Sequence, residues 1–279
     1  MNERPRTFLL VDRIAEFEPR TRARGSFAIP RHMSAAPSCL VAEAIGQLAA
    51  WIAMAAVEFQ RRPVAALAGE VKISREVTPG AVVDLAVAVD NCSRDAIAYH
   101  GSACVGGAPV VELHQCVGPM LAMEEFDDPE AVRAHFETLR GHGWSRPVGD
   151  GIPAGSVAIT VHEMTESKRA RIQIPTAAPF FADHFPRKPV LPATLLLDAQ
   201  IRLAIALAAD VVDSSVRELL RPTRVRNVKV RSFVSPGEVV ELGCEILSVT
   251  DNTAEAALMA SAAGRRVATA RLSVGQWEA

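Results

Sequence analysis

The sequence has no CxxC pair, and its five cysteines (Cys39, Cys92, Cys104, Cys116 and Cys244) are odd in number and scattered. That pattern speaks against a disulfide framework and a cysteine zinc site, and reads as reduced thiols. No other metal-ligand spacing occurs, so no metal is expected. An excess of either charge is also missing: 30 Lys and Arg against 32 Asp and Glu give a net charge of −2. Such a balance argues against general nucleic-acid binding and a membrane-surface role. Residues 1–14 carry a basic patch and a short apolar run that stops at Asp12-Arg13. They read as neither signal nor transit peptide, and with the reduced thiols they set the expectation of a cytoplasmic protein. One apolar run, residues 40–57, reaches the lower edge of a membrane-spanning length. It contains Glu43 and Gln47 and is rich in Ala. Acids are costly at membrane depth, so a helix buried in a soluble fold is expected instead of a span.

With 49% hydrophobic and 22% charged residues, the composition is that of an ordinary globule of one large or two smaller domains. Strands are expected over 8–14 and 24–30, and Pro37 opens a long apolar helix to about Gln60. Further strands follow over 64–77, 81–89, 97–104 and 110–117, with turns at Thr78-Pro79-Gly80 and Gly106-Gly107. Asp128 is an N-cap, Pro129 sits at the first helical position and Gly141 is a terminator, which together predict a separate helix. Five glycines and two prolines over 141–155 have the composition of a linker. The pattern then returns, with strands over 157–163 and 170–174 and a helix from Pro192 to about Ala209. Strands over 224–234 and 239–250 flank Ser235-Pro236-Gly237, and a hairpin turns at Gly264.

Landmarks recur at nearly constant offset. Pro37 and Pro192, and Glu43 and Asp198, are 155 residues apart. Lys72 and Lys229, Gly80 and Gly237, and Gly107 and Gly264 are 157 apart. The reading is two copies of one α+β unit, each a long helix wrapped by an antiparallel sheet. The expected divisions are 1–124, a helix and linker over 125–155, and 156–279.

The second copy holds the most chemically loaded stretch, residues 179–200. Pro186, Pro189 and Pro192 stiffen a non-helical loop and hold His184 near the N-terminus of the apolar helix. Free N–H groups at such a helix start can polarise a carbonyl oxygen.

The loop His184-Phe185-Pro186-x-x-Pro189-x-x-Pro192-Ala193, with Asp198 fourteen residues after the histidine, resembles the 3-hydroxyacyl-(acyl-carrier-protein) dehydratases of fatty-acid synthesis. Phe8-Leu-Leu-Val-Asp-Arg-Ile14, Glu43-Ala-Ile-Gly-Gln47 and the Thr78-Pro79-Gly80 turn are similar to the same family. The resemblance covers most of 7–122 and 156–275. It implies a double hotdog, an internal pseudodimer that is also open to further homo-oligomer formation, acting on a substrate carried by phosphopantetheine without another cofactor. Two departures stand out: Ala193 replaces the family's Gly, and the first copy lacks about ten residues of the histidine loop.

In that family the histidine of one subunit faces the helix acid of the other. The resemblance therefore pairs His184 with Glu43, supported by Gln47 and the Ala193 N–H, and leaves His32 with Asp198 as a degenerate second pair. Asp198 as the working acid is the alternative. His184 would take a C2 proton, a carboxyl in an apolar helix would protonate the departing C3 hydroxyl, and Gln47 would orient the acid or that hydroxyl. Phe180, Phe181, Pro189 and Leu191 are expected at the acyl site, and Arg187 and Lys188 at a carrier protein or phosphopantetheine phosphate. Arg224, Arg226, Lys229 and Arg231 add a second basic strand for such a contact, with a solvated strand edge as the plainer reading. The implied activity is dehydration of (3R)-hydroxyacyl thioesters, on acyl carrier protein or CoA. A dehydratase/isomerase, a thioesterase and a non-catalytic acyl-binding subunit are the competing readings.

Overall fold

The computed structural model describes residues 8–31, 37–143, 163–165, 169–250 and 252–277. Its first half runs β1 (Arg13–Glu18), β2 (Arg22–Ala28), α1 (Ser38–Ala56), β3 (Arg61–Pro63), β4 (Leu67–Ile73), β5 (Val82–Cys92), β6 (Ala96–Val105) and β7 (Ala108–Ala122). α2 (Pro129–Arg140) follows. The second half runs β8 (Glu163–Thr165), β9 (Arg169–Gln173), α3 (Ala193–Ala209), β10 (Arg221–Val230), β11 (Val239–Val249), β12 (Ala254–Ala262) and β13 (Arg265–Gly275).

All strands but β3 lie on one antiparallel path, β1-β2-β5-β6-β7-β4-β10-β13-β12-β11-β9-β8. That order reads the same from either end once each strand is matched to its repeat. The halves join where β4 pairs with β10, and the register there reports the symmetry. Ala68 faces Val228 and Val71 faces Val225; the 157-residue offset exchanges these two pairs. A pseudo-twofold axis therefore passes between β4 and β10. The turns repeat as well, with Gly80 at φ 82° and Gly237 at φ 81°, a region glycine enters without a Cβ clash.

Each half wraps its sheet around its own helix: α1 packs on β5, β2 and β6, and α3 on β11 and β12. Leu40, Ile45, Leu48 and Ile52 of α1 are fully buried, each side chain contributing roughly 1.5–3 kcal/mol by leaving water. α1 has the length and apolarity of a membrane span, and here that apolar surface is spent on the sheet. It ends at Ala56, earlier than expected, because Glu58 and Phe59 turn to positive φ (53° and 62°). α2 starts as its sequence predicts, with Asp128 Oδ1 accepting from the N–H groups of Glu130 and Ala131 at 3.1 and 2.9 Å.

Residues 8–12, expected as strand, join no ladder. Phe8 N–H donates to Asp183 Oδ2 (2.9 Å) and Leu10 N–H to Gln47 Oε1 (2.8 Å). Side chains from distant elements have taken the donors of Phe8 and Leu10, and pairing with β2 begins only at Asp12, whose N–H donates to Ser26 O (2.8 Å). Of the strand expected over 157–163, only Glu163 lies within the described residues, as the start of β8.

Candidate active site

The second-half loop is built to hold one ring. A short turn over Pro179–Ala182 puts Phe180 and Phe181 in the core, after which His184 N–H donates to Phe180 O (2.8 Å). Val190 N–H returns to His184 O (3.3 Å), and Leu191 N–H to Val234 O (2.8 Å). The His184 ring answers through Nδ1, 3.3 Å from Val190 O. A carbonyl only accepts, so Nδ1 carries the hydrogen and Nε2 keeps its lone pair. Phe185 stacks on the imidazole at 4.1 Å, and Phe8 meets it edge-on at 5.5 Å. Burial among these groups pushes the His184 pKa below its ordinary 6.5, with the Glu43 charge opposing and Arg62 reinforcing the shift.

Glu43 comes from the other half, on the face of α1 turned toward α3. Its Oε1 accepts from Gln47 Nε2 (3.0 Å) and its Oε2 from Thr194 Oγ1 (2.9 Å). Gln47 sits one turn along α1 and is fully engaged. Its second Nε2 hydrogen goes to Phe8 O (2.9 Å), and its Oε1 takes Leu10 N–H. It therefore positions Glu43 and ties residues 8–10 to α1, and has no donor left for a departing hydroxyl. Thr194 stands at the second position of α3, where the first N–H groups, on Ala193 and Thr194, have no intrahelical acceptor. The α3 start is thus a donor-rich end beside the Glu43 carboxylate.

His184, Glu43, Gln47, Ala193 and Thr194 line one cavity of about 420 Å³. Along α1 its wall continues through Gly46 and Ala50 to Met54, roughly 16 Å from Glu43 at 1.5 Å per residue. Tyr99, Leu113 and Cys116 face this arm from the first-half sheet, while Val132 and His135 of α2 border the cavity as well. Burial pushes the Tyr99 hydroxyl well above its usual pKa and the Cys116 thiol up to about 11, so both are neutral here. Leu191 lines the cavity as expected, but Phe180, Phe181 and Pro189 do not. The turn at Pro179 sends both phenylalanines into the core, and Phe8 and Phe185 take the wall position instead.

The sequence reading passed over Arg62, Thr194 and Tyr99 and took His135, which has no motif around it, as surface or structural; all four are on the cavity wall. Thr194 was marked only by following Ala193 at the helix start. Arg62 lies between the repeated landmarks and had no signal of its own.

The pseudo-symmetric position differs. Asp198 is held by Arg202 Nη2 at 2.9 Å, and Arg202 occupies the repeat position of Gln47, 155 residues on. Burial raises the Asp198 pKa while Arg202 lowers it. Cys39, the repeat partner of Thr194, is a buried thiol pushed well up by burial and by the Asp198 charge. Asp198 is absent from the wall of the His184 cavity, so it is not the acid facing that histidine. His32 lies outside the described residues.

Arg187 and Lys188 are occupied from within the chain. Arg187 pairs with Asp128 (3.2 Å) and donates to Glu124 O (3.2 Å), and Lys188 pairs with Glu125 (3.1 Å). The segment that opens α2 thus lies on the basic end of the histidine loop.

Residues 160–269 match the ApeI-like family model, described as ApeI dehydratase. Over 95 residues the chain is 28% identical to the 3-hydroxyacyl-(acyl-carrier-protein) dehydratase FabZ of Bartonella bacilliformis. That alignment covers 34% of this chain and 62% of FabZ, less than two thirds of the relative's length. Solved structures match over nearly the whole chain. A protein described as an oleoyl thioesterase from Lactobacillus plantarum gives a TM-score of 0.60 at 11% identity, covering 93% of this chain and 98% of that one. The dehydratase domain of PpsC from Mycobacterium tuberculosis, in complex with C12:1-CoA, gives 0.51 at 12% identity, covering 96% and 99%. Identities this low carry the fold and nothing finer. The chain is a double hotdog whose second half is similar to the hotdog-fold dehydratases.

Proposed function

We propose that the protein dehydrates (3R)-hydroxyacyl thioesters to trans-2-enoyl thioesters, with the acyl group carried on the phosphopantetheine of an acyl carrier protein. The observation that carries this reading is the meeting of three parts in one cavity: the His184 ring, the Glu43 carboxyl and the α3 N-terminus. His184 Nε2 takes the C2 proton, and the C2–H electron pair forms the C2=C3 bond as the C3–O bond breaks. The departing hydroxyl takes a proton from Glu43 and leaves as water. Glu43 Oε1 is fixed as an acceptor by Gln47, whereas Oε2 faces a hydroxyl that can donate or accept, so the proton belongs on Oε2. The Ala193 and Thr194 N–H groups hold the enolate-like thioester oxygen. Return of the C2 proton from His184 to Glu43 resets the site.

The similarity of the second half to dehydratases supports this reading over the other chemistries hotdog folds host. The test is turnover of (3R)-3-hydroxydecanoyl thioester, followed by enoyl absorbance, alongside assay of free thiol. Wild-type protein is expected to form the enoyl product without thiol release. His184→Ala and Glu43→Gln are each expected to lose on the order of 10² to 10⁴ in rate. Thiol release in place of the enoyl product would identify a thioesterase, and no turnover at any chain length an acyl-binding protein.

A further inference from the structure

Arg62, on β3, is largely enclosed, with 14% of its side chain exposed. Its guanidinium lies 3.9 Å from the centroid of Phe185, the ring that also stacks on His184. Among the described residues it donates no hydrogen bond. The approach to Asp127 Oδ2 is 3.8 Å, an ion-pair distance too long for one, and Nε is buried without an acceptor. Buried donors are paired in the great majority of folded structures, and leaving a guanidinium desolvated and unmatched is costly. Burial pushes the Arg62 pKa down to about 10 while Asp127 and Glu43 pull it back, so the group stays charged at neutral pH.

Arg62 also lines the cavity that holds His184 and Glu43. Nε is enclosed, so a ligand in that space would meet the terminal guanidinium nitrogens, which donate no hydrogen bond among the described residues. The Asp127 carboxylate already opposes its charge, so another anion would leave an apolar cavity net negative. A neutral carbonyl oxygen supplies the acceptor without adding charge.

We propose that Arg62 is a carbonyl-binding residue that receives an uncharged oxygen of the bound thioester, either an amide carbonyl of a pantetheine arm or the thioester carbonyl. The inference rests on the acyl-thioester reading and names where that ligand is gripped.

The test is calorimetric binding to the full-length protein of two probes that lack a 3-hydroxyl and so do not react. Decanoyl-pantetheine carries amides, and decanoyl S-ethyl thioester carries none. Arg62→Met, checked for folding by its thermal transition, is expected to bind decanoyl-pantetheine about 10- to 100-fold more weakly, the loss of one hydrogen bond from a charged donor. Loss on that probe alone assigns the oxygen to an amide; equal loss on both assigns it to the thioester carbonyl. Arg62→Lys keeps the charge with a shorter reach and is expected to weaken the same probe if the methionine variant does not fold. Unchanged affinity in the folded variant overturns the proposal, as does wild-type protein that binds neither probe. Wild-type turnover with unchanged variant binding would remove Arg62 and leave the dehydratase; weakened binding without any turnover would do the reverse.

Discussion

Burial pushes His184 below 6.5, Arg62 pushes the same way and Glu43 pushes back. The proposed base works only as neutral imidazole, so a lowered pKa extends activity toward acid. The acid limb of kcat/KM is expected to turn below pH 6.5, and proton NMR of the His184 ring is expected to titrate at the same place. A limb above 6.5 would contradict the environment described for the ring. Stability follows the same sign. Below about pH 6.5 the unfolded chain binds a proton that folded His184 resists, so this residue's contribution declines as pH falls from there toward its folded pKa. Gln47 shows how residue roles shift between sequence and structure. Its spacing from Glu43 was readable, but its two other bonds, to residues 8 and 10, came from a segment that looked like strand.

At the scale of elements, α2 has no counterpart in the second half among the described residues. It stacks Phe136 on Trp51, sets His135 against the same indole and brings Val132 to the cavity wall. Its start depends on Asp128, which caps two N–H groups and also pairs with Arg187. Asp128→Ala is expected to cost about 1 kcal/mol of stability and to speed amide hydrogen exchange at Glu130 and Ala131 more than in α1. Unchanged exchange there would mean the cap is not what holds the helix start. The cap, the proline and the glycine of α2 were legible because helix ends are specified by neighbours in sequence. Hairpin turns were legible for the same reason. Phe8 and Leu10 were not, because their partners lie 175 and 37 positions away. Local alternation cannot reveal which distant side chain will claim a backbone donor.

At the scale of the molecule, the repeat made the architecture readable. Two offsets, 155 around the helices and 157 around the later strands, were enough to anticipate two copies of one α+β unit, and the family resemblance added the double hotdog and the pairing of His184 with Glu43 across the halves. What the repeat did not carry was the inequality of the two helix acids. Glu43 meets a hydroxyl and an amide, whereas Asp198 meets a guanidinium. Under the proposed function, one productive site per chain is the expectation. Native mass spectrometry with decanoyl-pantetheine is expected to show a single ligand per chain, and Glu43→Gln with His184→Ala is expected to be no worse than the poorer single variant. Two bound ligands would show that the Asp198 side is also open.

The ion pair between Asp198 and Arg202 has a further consequence. In a twofold dimer of identical chains, any substitution appears at both sites at once, so neither can be altered while the other is kept. Here the two positions have separate addresses in one chain. Arginine can stand at 202 while glutamine stays at 47, and one acid can be tied to a guanidinium while the other meets an amide and a hydroxyl.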